Sequence, residues 1–378
     1  MTAPETLRTT ALFVVFFHMS WTSVLAQQSF ARNSYLMVDF FFVLSGFVVT
    51  YAYGKKLASI TNVWKFVWLR FWRLYPMHFT MLIVFLLFET LTWAAYHYFG
   101  VGHGHAFQTN NAYSFAGNLF LVQSLGLFSL GTFNIPSWSI SVEFYTYLVF
   151  ALVTVLLGRR RLVISMIIVL CSGTVLVALG PAAISMTVDF GFFRGLTGFF
   201  AGALVFMAYE NVCSKVAPSY ARPLEYLAFG TIACFIAFIQ LKGKGYSDLA
   251  IYPLSAILIF SVALAPQSGP VRVLNLAPLR WLGDISYSVY MVHASVLWVA
   301  KQVLVHVFHA KEIIPAGTSS RFLICGEAVG LAVAIAATLA VLALSHVTYR
   351  TIERPLRDWS KTAWPPGKLQ AAALRRPA

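Results

Sequence analysis

Charge is scarce in this sequence. Asp, Glu, Lys and Arg together make up 11% of the 378 residues, against about 25% in soluble domains. So few charges cannot cover an ordinary soluble protein or hold a disordered chain open. Acidic residues are the scarcer sign, 13 against 27 basic ones. Cysteine is sparse too. Cys171, Cys213, Cys234 and Cys325 form no C-x-x-C pair, and three of them fall in apolar runs. That argues against a disulfide framework and against a thiolate zinc site. No repeat of solenoid period occurs. The net charge of +14 suggests nucleic acid at first sight. In a chain this apolar, basic residues belong instead to cytoplasmic loops, and no nucleic-acid partner is expected.

What the chain has is hydrophobicity, 59% of it, with 33 Phe, 17 Tyr and 10 Trp. Crossing a hydrocarbon core of roughly 30 Å takes about 20 apolar residues. Ten stretches reach that length: 8–26, 36–54, 75–98, 136–157, 162–180, 192–209, 224–241, 248–265, 284–305 and 322–347. A shorter apolar piece, 115–130, is expected to lie along the membrane. The predicted fold class is an all-α polytopic membrane protein of about ten transmembrane helices. Residues 1–358 form one domain, followed by a basic tail, 359–378. Arginines and lysines crowd alternate loops, as at Lys55 to Arg73 and Arg159 to Arg161, with Lys242 and Lys244 on the poorer side. This pattern puts both termini in the cytoplasm and makes 99–135 the largest extracytoplasmic segment. Residues 1–26 have the outline of a cleavable signal. His18 inside the apolar run argues that the segment is retained.

Ionisable groups inside spans are costly and mark function. His18 lies ten residues into the first stretch, about 15 Å deep on a helix, where burial favours a neutral ring able to take a proton. Glu143 follows Pro136, which suits a first helical turn. It lies about 10 Å below the outer face, a depth compatible with meeting His18 and supporting its imidazolium. Arg70 and Arg73 share a helix face, and two guanidiniums beside aromatic rings suit phosphates and a purine. Packing hydrogen bonds would account for the histidine and the glutamate, and membrane anchoring for the arginines, if each stood alone. Glu89 and Glu327 have no evident partners. His78 and His346 fall near span ends. His97, His103, His105, His306 and His309 have no carboxylate or thiol at ligand spacing, so no metal is expected.

The motifs then fall into a known order. Val38-Asp39-Phe40-Phe41-Phe42-Val43-Leu44-Ser45-Gly46-Phe47 comes first, then Arg70-Phe71-Trp72-Arg73-Leu74-Tyr75-Pro76. Trp138-Ser139-Ile140-Ser141-Val142-Glu143 and Arg194-Gly195-Leu196-Thr197-Gly198-Phe199 follow. Trp281-Leu282-Gly283-Asp284-Ile285-Ser286-Tyr287 leads to Tyr290 and His293, and Tyr349 to Ile352-Glu353-Arg354-Pro355 closes the series. Across nearly the whole chain, from Leu7 to Arg357, it resembles the acyltransferase 3 family of integral-membrane O-acyltransferases. The resemblance implies a catalytic His18 with Glu143 and an upstream cation, Arg8. It also implies acyl-CoA held by Arg70, Arg73 and Tyr75. Asp39, Ser45, Trp138, Ser139, Ser141, Arg194 and His293 are implied as supporting residues, and Ser45, Ser139 and Ser141 are candidate oxyanion donors.

The implied reaction moves an acyl group, acetyl by preference, from cytoplasmic acyl-CoA to a hydroxyl of an extracytoplasmic glycan or glycolipid, such as O-antigen or exopolysaccharide. It needs no permanently bound cofactor, and it implies a bacterial inner membrane. A transporter or flippase is the alternative for ten spans with buried charges, although it has no need of a cytoplasmic nucleotide site. The family spacing is R-x10-H, and here it is R-x9-H. Ten α-helical steps leave Arg8 and His18 about 80° apart. Either Arg8 precedes the regular helix, or it does not play the family role. No extra hydrolase-like domain is expected after the last motif.

Overall fold

The computed structural model describes residues 3–102, 104–179, 186–241, 245–314 and 321–364. His103, Lys242, Lys244 and the tail beyond Trp364 lie outside the described residues, as does the side chain of Arg159. The described residues are helical, with one short antiparallel strand pair, β1 (Lys311–Ile313) and β2 (Phe322–Ile324).

Nine helical segments among the described residues are long and apolar enough to cross a membrane. They match nine of the ten stretches read from sequence. Those used below are α2 (Met37–Tyr53), α3 (Ile60–Phe99), α5 (Trp138–Leu157), α7 (Gly191–Val212), α9 (Ile251–Leu264), α10 (Ser286–His306) and α11 (Glu327–Thr348). Between them lie α4 (Ala112–Leu119), α6 (Arg161–Ala178) and α8 (Ala221–Leu241).

The first stretch is different and corrects the expectation of a tenth continuous span. Ala3–Thr10 is 3-10 helix, α1 covers only Ala11–Phe17, and the helix ends at His18. The chain then runs extended beside β2. Leu323 N–H donates to Ser20 O at 2.9 Å, and Thr22 N–H donates to Leu323 O at 3.0 Å. Non-helical backbone survives at membrane depth only where protein satisfies it. Here a strand some 300 residues away does so, and hydropathy cannot register that. Trp21, fully buried, donates from its indole to Gly330 O at 3.0 Å.

The centre of the bundle is α2 packed against α7. Glycines allow the approach: a Cβ on Gly46 would sit 1.8 Å from Phe199 O, and one on Gly202 would sit 1.9 Å from Val43 O. Small residues at such crossings let membrane helices make close backbone contact. Gly46→Ala must push the helices apart. It is expected to cost about 1–3 kcal/mol, read as an earlier midpoint in SDS unfolding. An unchanged midpoint would refute this packing.

At 40 residues, α3 is about 60 Å long, twice the hydrocarbon thickness. The arginine pair placed in a loop by charge counting therefore sits on the same helix as the following span. At the other end, the segment after Phe99 is tied down by Glu89, which accepts from Phe107 N–H at 2.7 Å and Asn110 Nδ2 at 2.9 Å. Asn110 Oδ1 in turn accepts from Phe133 N–H at 2.7 Å. His78 Nε2, buried within α3, donates to Asn118 O at 2.8 Å. In this segment the helix α4 stops at Leu119, and Leu121 has a left-handed φ of 58°. The last span runs from α11 through a π-helical turn, Tyr349–Glu353, into α12 (Arg354–Ala363). Trp359 of α12 packs on Trp68 and Trp72 of α3.

Candidate active site

Two cavities share lining residues: an inner one where α2, α3, α5, α10 and the N-terminal 3-10 turns meet, and an outer one between the end of α2, α3 and α12. The inner one encloses about 150 Å³, and its polar lining includes Arg8, Ser45, Arg70, Arg73, Glu143 and Tyr147. The outer vestibule encloses about 650 Å³ and shares Arg70 and Arg73 with the first. Around it stand Lys56, Lys65, Arg357 and Lys361, and among the described residues no carboxylate lines it. π-Helical turns recur at functional sites, and the one ending at Glu353 borders this junction.

The two arginines are held differently. Arg73 is paired with the buried Glu353 carboxylate, which also accepts from Ser288 Oγ at 2.7 Å. Its guanidinium lies 5.4 Å from the Tyr287 ring centre. Among the described residues Arg70 has no carboxylate partner. It donates to Tyr53 OH at 3.2 Å and lies over the rings of Tyr53, Phe66 and Tyr147. Its Nε is buried without a hydrogen-bond partner. A cation held by rings keeps its charge and its spare donors for an anion.

Arg8 faces the same cavity, and the local helix type explains how. It precedes the regular helix, as one of the two readings of its short spacing required. Three 3-10 steps of about 120° and seven α steps of about 100° bring Arg8 and His18 within about 20° of one face. The rise is about 16 Å, the same as for eleven α-helical steps. The tighter first turn thus makes up for the missing residue. Glu5 flanks Arg8 at 3.6 Å.

Glu143 and His18 do not meet, contrary to the expectation from depth. Glu143 Oε1 accepts from Ser45 Oγ at 2.9 Å and from Tyr147 OH, one turn along α5. The His18 ring, half-buried at the end of α1, meets the Val14 carbonyl at 2.9 Å and His293 at 3.2 Å. Ala11, which lines the inner cavity, precedes His18 by two turns on the same face. The carboxylate therefore belongs to the arginine-lined cavity, and the imidazole is not part of its lining.

The remaining residues of the motifs divide between walls and braces. Asp39 and Arg194 form a fully buried pair, with Nε to Oδ1 at 3.1 Å and Nη2 to Oδ2 at 2.7 Å. Tyr252 OH donates to the same carboxylate at 2.9 Å, and the guanidinium lies 4.5 Å from the Trp138 ring centre. Ser139 Oγ bonds Tyr290 OH at 2.8 Å, and Ser141 Oγ donates to Leu121 O. All three candidate serines, Ser45 included, are thus engaged within the protein. Tyr75 stacks between Phe71 and Phe79 and donates to Leu119 O at 3.0 Å. It lines neither cavity.

Sequence reading missed Glu353, Tyr147 and Tyr53 as site residues. Glu353 was visible in the closing motif, and Tyr147 lies four residues after Glu143, on its face. Only the fold reveals Tyr53. Among the described residues no cluster of three or more histidines, cysteines or carboxylates could hold a metal ion. His346 accepts from the Trp281 indole at 3.0 Å, and Glu327 is exposed at the start of α11.

Comparison with known proteins points the same way. A family described as an acyltransferase domain matches residues 5–350. The peptidoglycan O-acetyltransferase OatA of Listeria monocytogenes is 25% identical over 310 residues, 73% of this chain and 47% of its own. The putative peptidoglycan O-acetyltransferase YrhL of Bacillus subtilis is 26% identical over 318 residues, 76% of this chain and 46% of its own. Protein 2 in the picA locus of Rhizobium radiobacter is 49% identical over 73 residues, 18% of this chain and 34% of its own. The chain spans about half the length of the first two relatives. No solved structure matches significantly.

Proposed function

The chain belongs to the acyltransferase domain family, and from that premise we propose that it is a membrane O-acyltransferase using acyl-CoA, with acetyl the favoured group. The acceptor is a hydroxyl of a glycan on the opposite face of a bacterial inner membrane. The names of the two relatives support O-acetylation of a cell-surface glycan. Peptidoglycan thereby stands ahead of O-antigen, exopolysaccharide or a lipid-linked sugar.

One observation carries the donor assignment: a cation-lined vestibule shares a pair of arginines with a smaller cavity beside it. Its volume suits a nucleotide-sized ligand. Phosphates attract lysine and arginine, and guanidiniums on rings can also stack on a base. The pantetheine arm is thin enough to enter the inner cavity and carry the thioester toward His18. The vestibule faces the cytoplasm, where charge counting puts these basic loops.

The chemistry follows from that placement. His18 takes the proton from the acceptor hydroxyl as its oxygen attacks the thioester carbonyl. The C–S bond breaks when the tetrahedral intermediate collapses, and the departing CoA thiolate takes the proton back from His18. Glu143, within the arginine-lined cavity, balances charge there and holds Ser45 and Tyr147. Arg8 adds a third cation beside the arginine pair. The test is binding of radiolabelled acetyl-CoA to purified protein in detergent. Arg70→Ala/Arg73→Ala is expected to weaken binding at least tenfold, since charge-assisted bonds are worth about 1.5–3 kcal/mol each. A folded wild type that binds no acyl-CoA would overturn the reading.

A further inference from the structure

The neighbours of the two histidines locate their protons. His293 is fully buried on α10, and its Nδ1 lies 2.6 Å from the Tyr290 carbonyl. A carbonyl can only accept, so Nδ1 carries the hydrogen, and Nε2 of the neutral ring carries a lone pair. That Nε2 lies 3.2 Å from Nδ1 of His18, which also lies 2.9 Å from the Val14 carbonyl. Both neighbours of His18 Nδ1 are therefore acceptors. A lone pair on Nδ1 would face two others, so the proton sits there and the free lone pair sits on Nε2.

We propose that His293 is the positioning residue for His18: by accepting from Nδ1–H it fixes the tautomer and orientation that leave Nε2 as the base. This rests on the reading of His18 as the proton acceptor of acyl transfer. The Val14 carbonyl belongs to the same helix as His18 and moves with it. His293 comes from another helix and ties the ring to the rest of the site. Tyr290, whose carbonyl holds His293, is itself anchored through its hydroxyl to Pro136 O at 2.7 Å and to Ser139. The ring of His18 is thereby registered against the start of α5, the helix that carries Glu143.

The proton inventory closes without another group. The acceptor O–H bond breaks and its proton joins Nε2. The imidazolium then holds two N–H bonds, with Nδ1–H directed at His293 and Val14. When the C–S bond breaks, Nε2–H goes to the thiolate sulfur and the starting tautomer returns. His293 gives up no proton in this cycle. Its contribution is to keep Nε2 unprotonated before the step and to stabilise the cation during it.

The test combines nitrogen NMR of ring-15N-histidine protein in lipid nanodiscs with steady-state kinetics. The His18 signals are assigned by their loss in His18→Gln. Wild type is expected to show His18 with Nδ1 protonated and Nε2 bare. His293→Phe removes the acceptor. It is expected to give a mixture of His18 tautomers and to lower kcat at least about a hundredfold, with the KM for donor within about twofold. His293→Gln offers an amide oxygen near the former Nε2. It is expected to recover at least tenfold of that loss and restore the Nδ1–H form. Three results would each overturn the proposal: a wild-type His18 protonated on Nε2, His293→Phe turning over within threefold of wild type, or no recovery in His293→Gln. The wild-type spectrum stands even where His293→Phe fails to fold. It also reads the tautomer independently of whether His18 proves to be the base.

Discussion

His18→Ala is expected to reduce acyl transfer at least about a thousandfold, the upper range for losing a positioned general base. Binding of acetyl-CoA should stay within about twofold, because His18 lines neither the cation-lined vestibule nor the inner cavity. That split separates a chemical role from a structural one. The structural cost is bounded: the ring makes two hydrogen bonds through one nitrogen, worth about 1–3 kcal/mol together. His18→Gln keeps a polar side chain of similar reach and serves as the control for folding. The measurement is the rate at which label passes from acetyl-CoA to a soluble peptidoglycan fragment in proteoliposomes. Turnover of either variant within tenfold of wild type would remove His18 from the mechanism.

The case of Arg8 and His18 shows which part of such a site a sequence carries. Identity and order were legible: the histidine, the upstream cation, the arginine pair and the glutamate are all in the chain as read. Spacing along the helix axis was legible too, because rise per residue is nearly fixed. Direction around the helix was not. It depends on the helix type of each turn, and the 3-10 start of Ala3–Thr10 turns an apparent 80° mismatch into alignment. Glu143 failed for the same reason. Its depth allowed a meeting with His18, but α5 is rotated so that the carboxylate faces Ser45 of α2. Long-range pairing was beyond reach altogether. Residues 20–22 read as apolar helix and are held instead by Leu323. The vestibule was half legible. Lys56, Lys65, Arg357 and Lys361 counted as inside-positive charges, and only the docking of α12 on α3 gathers them around one space.

The pair between Asp39 and Arg194 predicts the largest structural effect. Both side chains are almost fully buried, at 0% and 2% exposure, in the centre of an apolar bundle. Asp39→Ala would leave the guanidinium with the Met186 carbonyl at 2.9 Å and the face of Trp138, but with no counter-charge. Removing one partner of a buried pair costs about 3–5 kcal/mol, a large share of the stability of most domains. The variant is expected to accumulate poorly and to lose its folded fraction at the lowest SDS concentration of any substitution described here. Asp39→Leu/Arg194→Met should be the more stable protein, because no charge is then stranded. It will not equal wild type, since Tyr252 loses its acceptor and Trp138 loses its cation. The order wild type, then double variant, then Asp39→Ala is the signature of a buried charge pair. Asp39→Ala as stable as wild type would show that the pair contributes nothing. The brace also reaches the site. It ties α2, α7 and α9 to Trp138 at the start of α5, so the double variant is expected to hold Glu143 less rigidly. It should therefore lose part of its transfer rate while still binding acetyl-CoA through Arg70 and Arg73.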